Sequence, residues 1–178
     1  MTTLLLGLGN LDRGDDAVGL DVAVGVAARL GLPLVGDDGG TGPVAVDTWS
    51  GPDLDLLDRW AGHDRVLVVD ASRGAGPPGT RRRVVVDPDH VTDTGRPTGS
   101  HAMGLPRVIA LGRCLGRLPD RIELVTIEAG SVDAGRDLTP AVAVAAAALV
   151  EDLADELAAE IADAWCSPAD QPATSVGR

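Results

Sequence analysis

Three groups of residues in this 178-residue sequence carry side chains suited to metal or acid–base chemistry. The first follows an apolar run, Leu4-Leu5-Leu6-Gly7-Leu8-Gly9-Asn10, and holds Asp12, the adjacent pair Asp15-Asp16, and Gly19. The second is Asp70, directly after Val66-Leu67-Val68-Val69. The third is Ser100-His101, followed by Ala102-Met103-Gly104-Leu105-Pro106. Asp16, Asp70 and His101 are 54 and 31 residues apart, a separation that a fold can close. Two carboxylates and one imidazole suit a first-row divalent ion such as nickel or zinc.

Each group also has a plainer reading. Asp15 or Asp16 can cap the helix that follows, with Asp15 the better candidate. An aspartate after a buried strand often bonds loop amides, and a histidine before a helix is often structural. His63 and His90 are assigned to solvent-facing loops. Glu128 either supports the site from behind or bonds a loop amide.

The opening turn excludes other chemistry. A glycine turn after a buried strand suggests a phosphate loop, but this helix start already carries its own anions. The dinucleotide spacing fails because the third glycine falls on Asp12. The chain contains no lysine, so a Walker lysine is absent. Neither a Gly-x-Ser-x-Gly elbow nor a His-Glu-x-x-His helix occurs. The run Arg81-Arg82-Arg83 reads as a solvated strand edge rather than a docking patch.

The elements that must position these groups alternate between strand and helix. Strands are expected at Thr3–Leu8, Val44–Val46, Arg65–Val69, Arg82–Val86 and Arg121–Ile127. Helices are expected at Asp15–Leu30, Asp53–Trp60 and Pro106–Leu115, with a long one opening at Thr139-Pro140 and reaching about Trp165. This order predicts a mostly parallel sheet with helices on both faces. The turn Pro77-Pro78-Gly79-Thr80 is too short for a crossover helix, so one strand is expected to be antiparallel. One domain, residues 1–166, is expected, followed by a disordered polar tail at 167–178.

Composition narrows the partners. The chain is 44% hydrophobic yet only 2% aromatic, with no Phe or Tyr, so the core must be built from Val, Leu, Ile and Ala. A net charge of −12 argues against nucleic acid or an anionic membrane as partner. Cys114 and Cys166 have no metal-site spacing, and Cys114 is assigned to the core. No signal peptide or membrane span is recognisable, so a cytoplasmic protein is expected.

Taken together, the residues resemble the hydrogenase maturation proteases, endopeptidases that trim the large subunit of nickel–iron hydrogenases. The matching pieces are Gly7-Leu8-Gly9-Asn10, Asp15-Asp16 and Gly19; Val69-Asp70-Ala71 with Gly76-Pro77-Pro78-Gly79; Ser100-His101-Ala102-Met103-Gly104-Leu105-Pro106; Ile127-Glu128; and the stretch from Gly135 to Val142. The resemblance spans about residues 3 to 155. It implies a three-layer α/β/α sandwich on a five-stranded mixed sheet. It implies that Asp16, Asp70 and His101 bind nickel delivered within the substrate, with zinc or cadmium able to substitute in vitro. The implied partner is the hydrogenase large-subunit precursor, cut near its C-terminus after nickel insertion by a monomeric enzyme.

The implied mechanism stays open. Metal coordination can hold the scissile segment in place, polarise its carbonyl, or acidify a bound water. Asp16 or Asp70, where free of the metal, can act as catalytic base, and these residue types fit an aspartic-type endopeptidase. One departure from the family pattern is the turn Asp47-Thr48-Trp49-Ser50-Gly51, in which no glycine precedes Thr48. Another is the Asp- and Gly-rich loop from Gly36 to Gly42. Both lie near the expected substrate groove. The alternatives are a non-catalytic metal-binding or chaperone-like relative, which has no need to keep all three ligand types, and a nucleotide-binding α/β protein, which the glycine spacing opposes.

Overall fold

The computed structural model describes residues 1–36, 40, 42–89, 104–135 and 137–166. The chain forms β1 (Thr3–Leu8), a 3-10 turn (Gly14–Ala17), α1 (Val18–Leu30) and β2 (Val44–Trp49). A second 3-10 turn (Asp53–Asp55) runs into the short α2 (Leu56–Arg59). Then follow β3 (Arg65–Ser72), β4 (Arg81–Val85), α3 (Leu105–Leu115), β5 (Arg121–Glu128) and α4 (Pro140–Cys166). The strands make one sheet in the order β2-β1-β3-β5-β4. All neighbours are parallel except β4 and β5, which are antiparallel. The short turn after β3 therefore yields the expected antiparallel strand, but β4 does not pair with β3. Strand β5 inserts between them.

The central strands are apolar on both faces because helices cover both. Leu5, Val46, Leu67, Val69, Val125 and Ile127 pack with Val18, Val22 and Val26 of α1 and Leu149, Leu153 and Leu157 of α4. Leu4, Leu6, Val66, Val68 and Ile122 pack with Leu56, Leu57 and Trp60, and with Val108 and Ile109 of α3. This is the three-layer sandwich. Gly19 sets how closely α1 sits on the sheet: a Cβ there would lie 2.2 Å from the Val69 carbonyl oxygen and 2.3 Å from that of Leu8. Among the described residues, no helix is long and apolar enough to cross a membrane.

Several expectations need correction. The α-helix starts at Val18, not Asp15, because the aspartate pair occupies a 3-10 turn. Cys114 is exposed; α3 turns Val108, Ile109 and Gly112 inward, and Cys114 falls on the opposite side. His63 is only partly exposed, and its Nδ1 is enclosed without a hydrogen-bond partner. Arg81-Arg82-Arg83 does lie exposed on an edge strand, as expected; in addition Arg81 pairs with Asp152, and Arg83 with Glu123 and Glu156, which ties that edge to α4. His90, His101 and the tail at 167–178 lie outside the described residues.

Arg83 of β4 belongs to a network that periodicity does not reveal. Glu123, 2% exposed, accepts hydrogen bonds from Arg65, Arg83 and Arg121 at 2.7 to 2.8 Å. Arg65 also reaches Glu156 and Glu160 of α4. Burial alone would raise the Glu123 carboxyl, but the three guanidinium groups outweigh it and hold its pKa at about 2.

Candidate functional site

In an open α/β sheet, ligands collect beyond the carboxyl ends of the strands, where neighbouring connections leave toward opposite faces. Here that point lies between β1 and β3. The chain leaves β1 for α1 on one face, and the chain beyond β3 goes through β4 to α3 on the other. Strand β1 ends its pairing with β3 at Gly7 and Val69, while β3 continues along β5 to Ser72. Asp70 lies on this overhang, opposite Thr126 of β5, and is half-buried. Its Oδ1 accepts the N–H of Ala71 at 2.8 Å.

Asp16 enters the same region from the other side. Its 3-10 turn packs against β3, and the residue is 6% exposed. The turn doubles back tightly: the N–H of Asn10 donates to the Asp16 carbonyl at 3.2 Å. Gly9 has φ of +151°, and a Cβ there would lie 2.0 Å from that carbonyl oxygen. The Gly-x-Gly-Asn turn thus serves close packing beneath Asp16.

Asp15 does not cap a helix, and this corrects the sequence expectation. Neither the 3-10 turn nor α1 has a side-chain cap. Asp15 is fully buried and binds the loop between β5 and α4 instead. Its Oδ2 accepts from Gly130 N–H at 2.7 Å, Ser131 N–H at 2.9 Å and the Thr139 hydroxyl at 2.8 Å. Its Oδ1 accepts from Thr139 N–H at 2.6 Å. Burial pushes this carboxyl up, but the bonds from Ser131, Thr139 and Gly130 outweigh burial and leave it below the usual range. Backbone bonds from Gly14 to Gly135 and from Asp15 to Ser131 complete the seam. The turn that carries Asp16 is therefore fixed from behind by a charged buried group.

Glu128, at the end of β5, fixes the other side. It is buried, accepting from Ser72 Oγ at 2.9 Å and Ala75 N–H at 3.0 Å. Burial raises its pKa, but these bonds, with help from Arg82, bring it below normal. Of its two sequence readings, the loop-amide role is present, and it clamps the chain immediately after Asp70.

Sequence reasoning passed over Asp47 and Asp53 as individual sites. Asp47 in β2 is 4% exposed. It pairs with Arg59 at 2.5 Å and accepts from Gly36 and Thr48 N–H groups. Arg59 lies 4.1 Å over the Trp49 ring, beside a cavity of about 290 Å³ that His63 also lines. Asp47 had the signal that singled out Asp70: an aspartate late in an apolar strand. Asp53, in the turn before α2, accepts the Gly104 N–H at 2.7 Å.

Asp70 thus lies on the β3 overhang at the switch point, and the turn that carries Asp16 packs against β3. His101 lies outside the described residues, and among those residues no three His, Cys, Asp or Glu side chains form a metal-binding group. What the fold defines is a three-layer α/β/α protein with two aspartates at its topological switch point.

A family-level sequence profile for hydrogenase maturation proteases matches residues 38–156, and the chain belongs to that family. It is therefore a peptidase by family. The hydrogenase 2 maturation protease of Escherichia coli (strain K12) is 28% identical over 145 residues, which is 80% of this chain and 82% of that protein. The hydrogenase maturating endopeptidase HybD from E. coli superposes with a TM-score of 0.70 at 25% identity, covering 89% of this chain and 93% of that one. The NiFe hydrogenase maturation protease HycI from Thermococcus kodakarensis KOD1 gives 0.63 at 26% identity, over 88% and 92% of the two chains.

Proposed function

We propose that this protein is an endopeptidase that removes the C-terminal extension of a nickel–iron hydrogenase large-subunit precursor after nickel insertion. In this reading the nickel comes with the substrate, and Asp16, Asp70 and His101 bind it. Family membership supports the reaction class. The observation that carries the reading is that Asp70 lies on the β3 overhang at the β1–β3 switch point and that the turn bearing Asp16, far away in sequence, packs against β3.

Coordination of substrate nickel at this switch point would hold the scissile amide in place and lower the entropic part of the barrier. Hydrolysis then adds water across the amide. A carboxylate left free by the metal accepts the water proton, and the leaving amine takes up a proton. The rigid seating of both aspartates, by the Asp15 seam and the Glu128 clamp, suits such positioning.

The test is cleavage of a purified precursor, loaded with nickel or metal-free, followed by mass spectrometry. The loaded form should be cut once near its C-terminus, and the metal-free form should remain intact. Asp70→Ala should abolish the cut. Equal processing of both forms would remove nickel as the recognition signal. Absence of processing with retained binding of the loaded precursor would favour a docking protein.

A further inference from the structure

Strand β3 overruns its pairing with β1 and ends at Ser72, so Arg73 is the first residue beyond the overhang that carries Asp70. The chain turns sharply there: Gly74 has φ of +86°, a left-handed conformation that glycine adopts without strain. Glu128 grips the turn on both sides of Arg73, accepting from Ser72 Oγ at 2.9 Å and from Ala75 N–H at 3.0 Å. The Ser72 carbonyl accepts the Ala129 N–H at 2.8 Å. The backbone at Arg73 is therefore fixed, while the residue itself is exposed. Every other described arginine makes a hydrogen bond, ion pair, ring contact or electrostatic interaction within the chain; among the described residues, Arg73 has no partner. A cation in a chain of 27 acidic and 15 basic residues has many carboxylates to meet, yet this one is left open. Glu128, which grips its turn, is already bound to Ser72 and Ala75 and lies beside the charge of Arg82.

We propose that Arg73 is a substrate-binding residue of the peptidase site, and that it takes a carboxylate of the precursor peptide where that peptide passes the end of β3. The proposal rests on the function given above. A guanidinium presents a planar fork of N–H donors that matches a carboxylate. Asp70 and Arg73 are three residues apart in the chain. Their Cα atoms are thus at most about 11 Å apart, a distance that an extended peptide covers in about three residues. The carboxylate therefore belongs within a few residues of the part of the precursor that lies at Asp70. The molecule as a whole repels such a peptide, with a net charge of −12 and Asp70 at the switch point. A fixed, open cation on the same strand end offsets that repulsion and sets the register of the bound chain. An Asp or Glu side chain and the C-terminal end of the precursor offer the same group.

The test compares the parent, Arg73→Gln, Arg73→Lys and Arg29→Gln on the purified nickel-loaded precursor. Titration gives Kd, and cleavage gives KM and kcat. Arg73 has no partner to lose, so Arg73→Gln should keep the parent Tm. It should raise Kd and KM about tenfold while kcat stays within about twofold of the parent. Arg73→Lys keeps the charge without the fork and should fall between the two. Arg29, at the other end of α1 and paired with Glu151, serves as control, and Arg29→Gln should match the parent. Added salt should weaken binding more steeply in the parent than in Arg73→Gln. Two altered precursors separate the sources of the carboxylate. In one, the Asp and Glu residues flanking the cut become Asn and Gln; in the other, added neutral residues move the terminal carboxylate outward. The source is the one whose alteration makes the parent bind no better than Arg73→Gln. Parent-like Kd in Arg73→Gln, or a lowered Tm, would overturn the role of Arg73 and leave the function standing. A loss in Arg73→Gln that persists with both altered precursors would overturn the carboxylate as its ligand. The Kd readings hold even where the parent docks the precursor without cutting it. A parent that neither binds nor cuts the loaded precursor would overturn the function, and this role with it.

Discussion

Asp15 Oδ1 accepts the Thr139 backbone N–H at 2.6 Å, joining the turn after β1 to the start of α4 across 124 residues. With Oδ2 bound to Gly130, Ser131 and the Thr139 hydroxyl, one carboxylate closes the back of the site. Its neighbour Asp16 lies in the same 3-10 turn, which packs against β3. In the site proposed above, these two adjacent, chemically identical residues take different roles.

Removing the Asp15 carboxylate should cost far more than a helix cap. Asp15→Ala leaves three backbone N–H groups without their acceptor, and we expect a loss of about 3–5 kcal/mol in urea denaturation. Asp15→Asn keeps one acceptor oxygen and should lose about 2 kcal/mol. A loss of only about 1 kcal/mol for the alanine variant would restore the capping role.

Acid should unfold the protein through its buried carboxylates. Glu123 has a folded pKa of about 2 against a model value of 4.5, so the unfolded chain takes up the proton first as pH falls. Its stabilisation, about 3 kcal/mol, is complete above pH 4.5 and is lost as the pH drops through 2. Asp15, Glu128 and Glu156 are lowered as well and act in the same direction. Denaturation free energies measured between about pH 6 and 2 should fall steadily. Glu123→Gln should be less stable at neutral pH and show a shallower decline. A flat profile in the parent would contradict the ion network.

Metal binding should separate the histidines. His101→Ala should weaken nickel or zinc binding by at least about tenfold. His63→Ala should leave it unchanged, since His63 lines the cavity beside Trp49 and Arg59 instead. Burial holds the His63 imidazole below its usual pKa, with Asp64 opposing the shift, so it favours the neutral form. Isothermal titration on the three proteins decides the point. Equal affinities in His101→Ala and parent would reject His101 as a ligand.

The sandwich was legible in the sequence because its strands are short apolar runs and its helices carry apolar stripes. Those periods follow from how a strand and a helix present side chains, whatever their partners. The antiparallel strand was legible from turn length alone. Asp70 was singled out because a polar residue directly after a buried strand stands where ligands collect, and Asp16 because it lies in the acidic turn that follows another. The tertiary structure alone decided that Asp15 anchors a distant loop, that Glu128 clamps the chain after Asp70, and that Asp53 holds the start of α3. The arginines of β4 and Arg65 likewise met acidic partners on α4 and β5 that no local pattern announces. Hydrogen bonds and ion pairs depend on the meeting of two specific groups in space. Hydrophobic burial is non-directional, so its pattern is written along the chain, whereas the partner of a buried carboxylate exists only once the chain has folded.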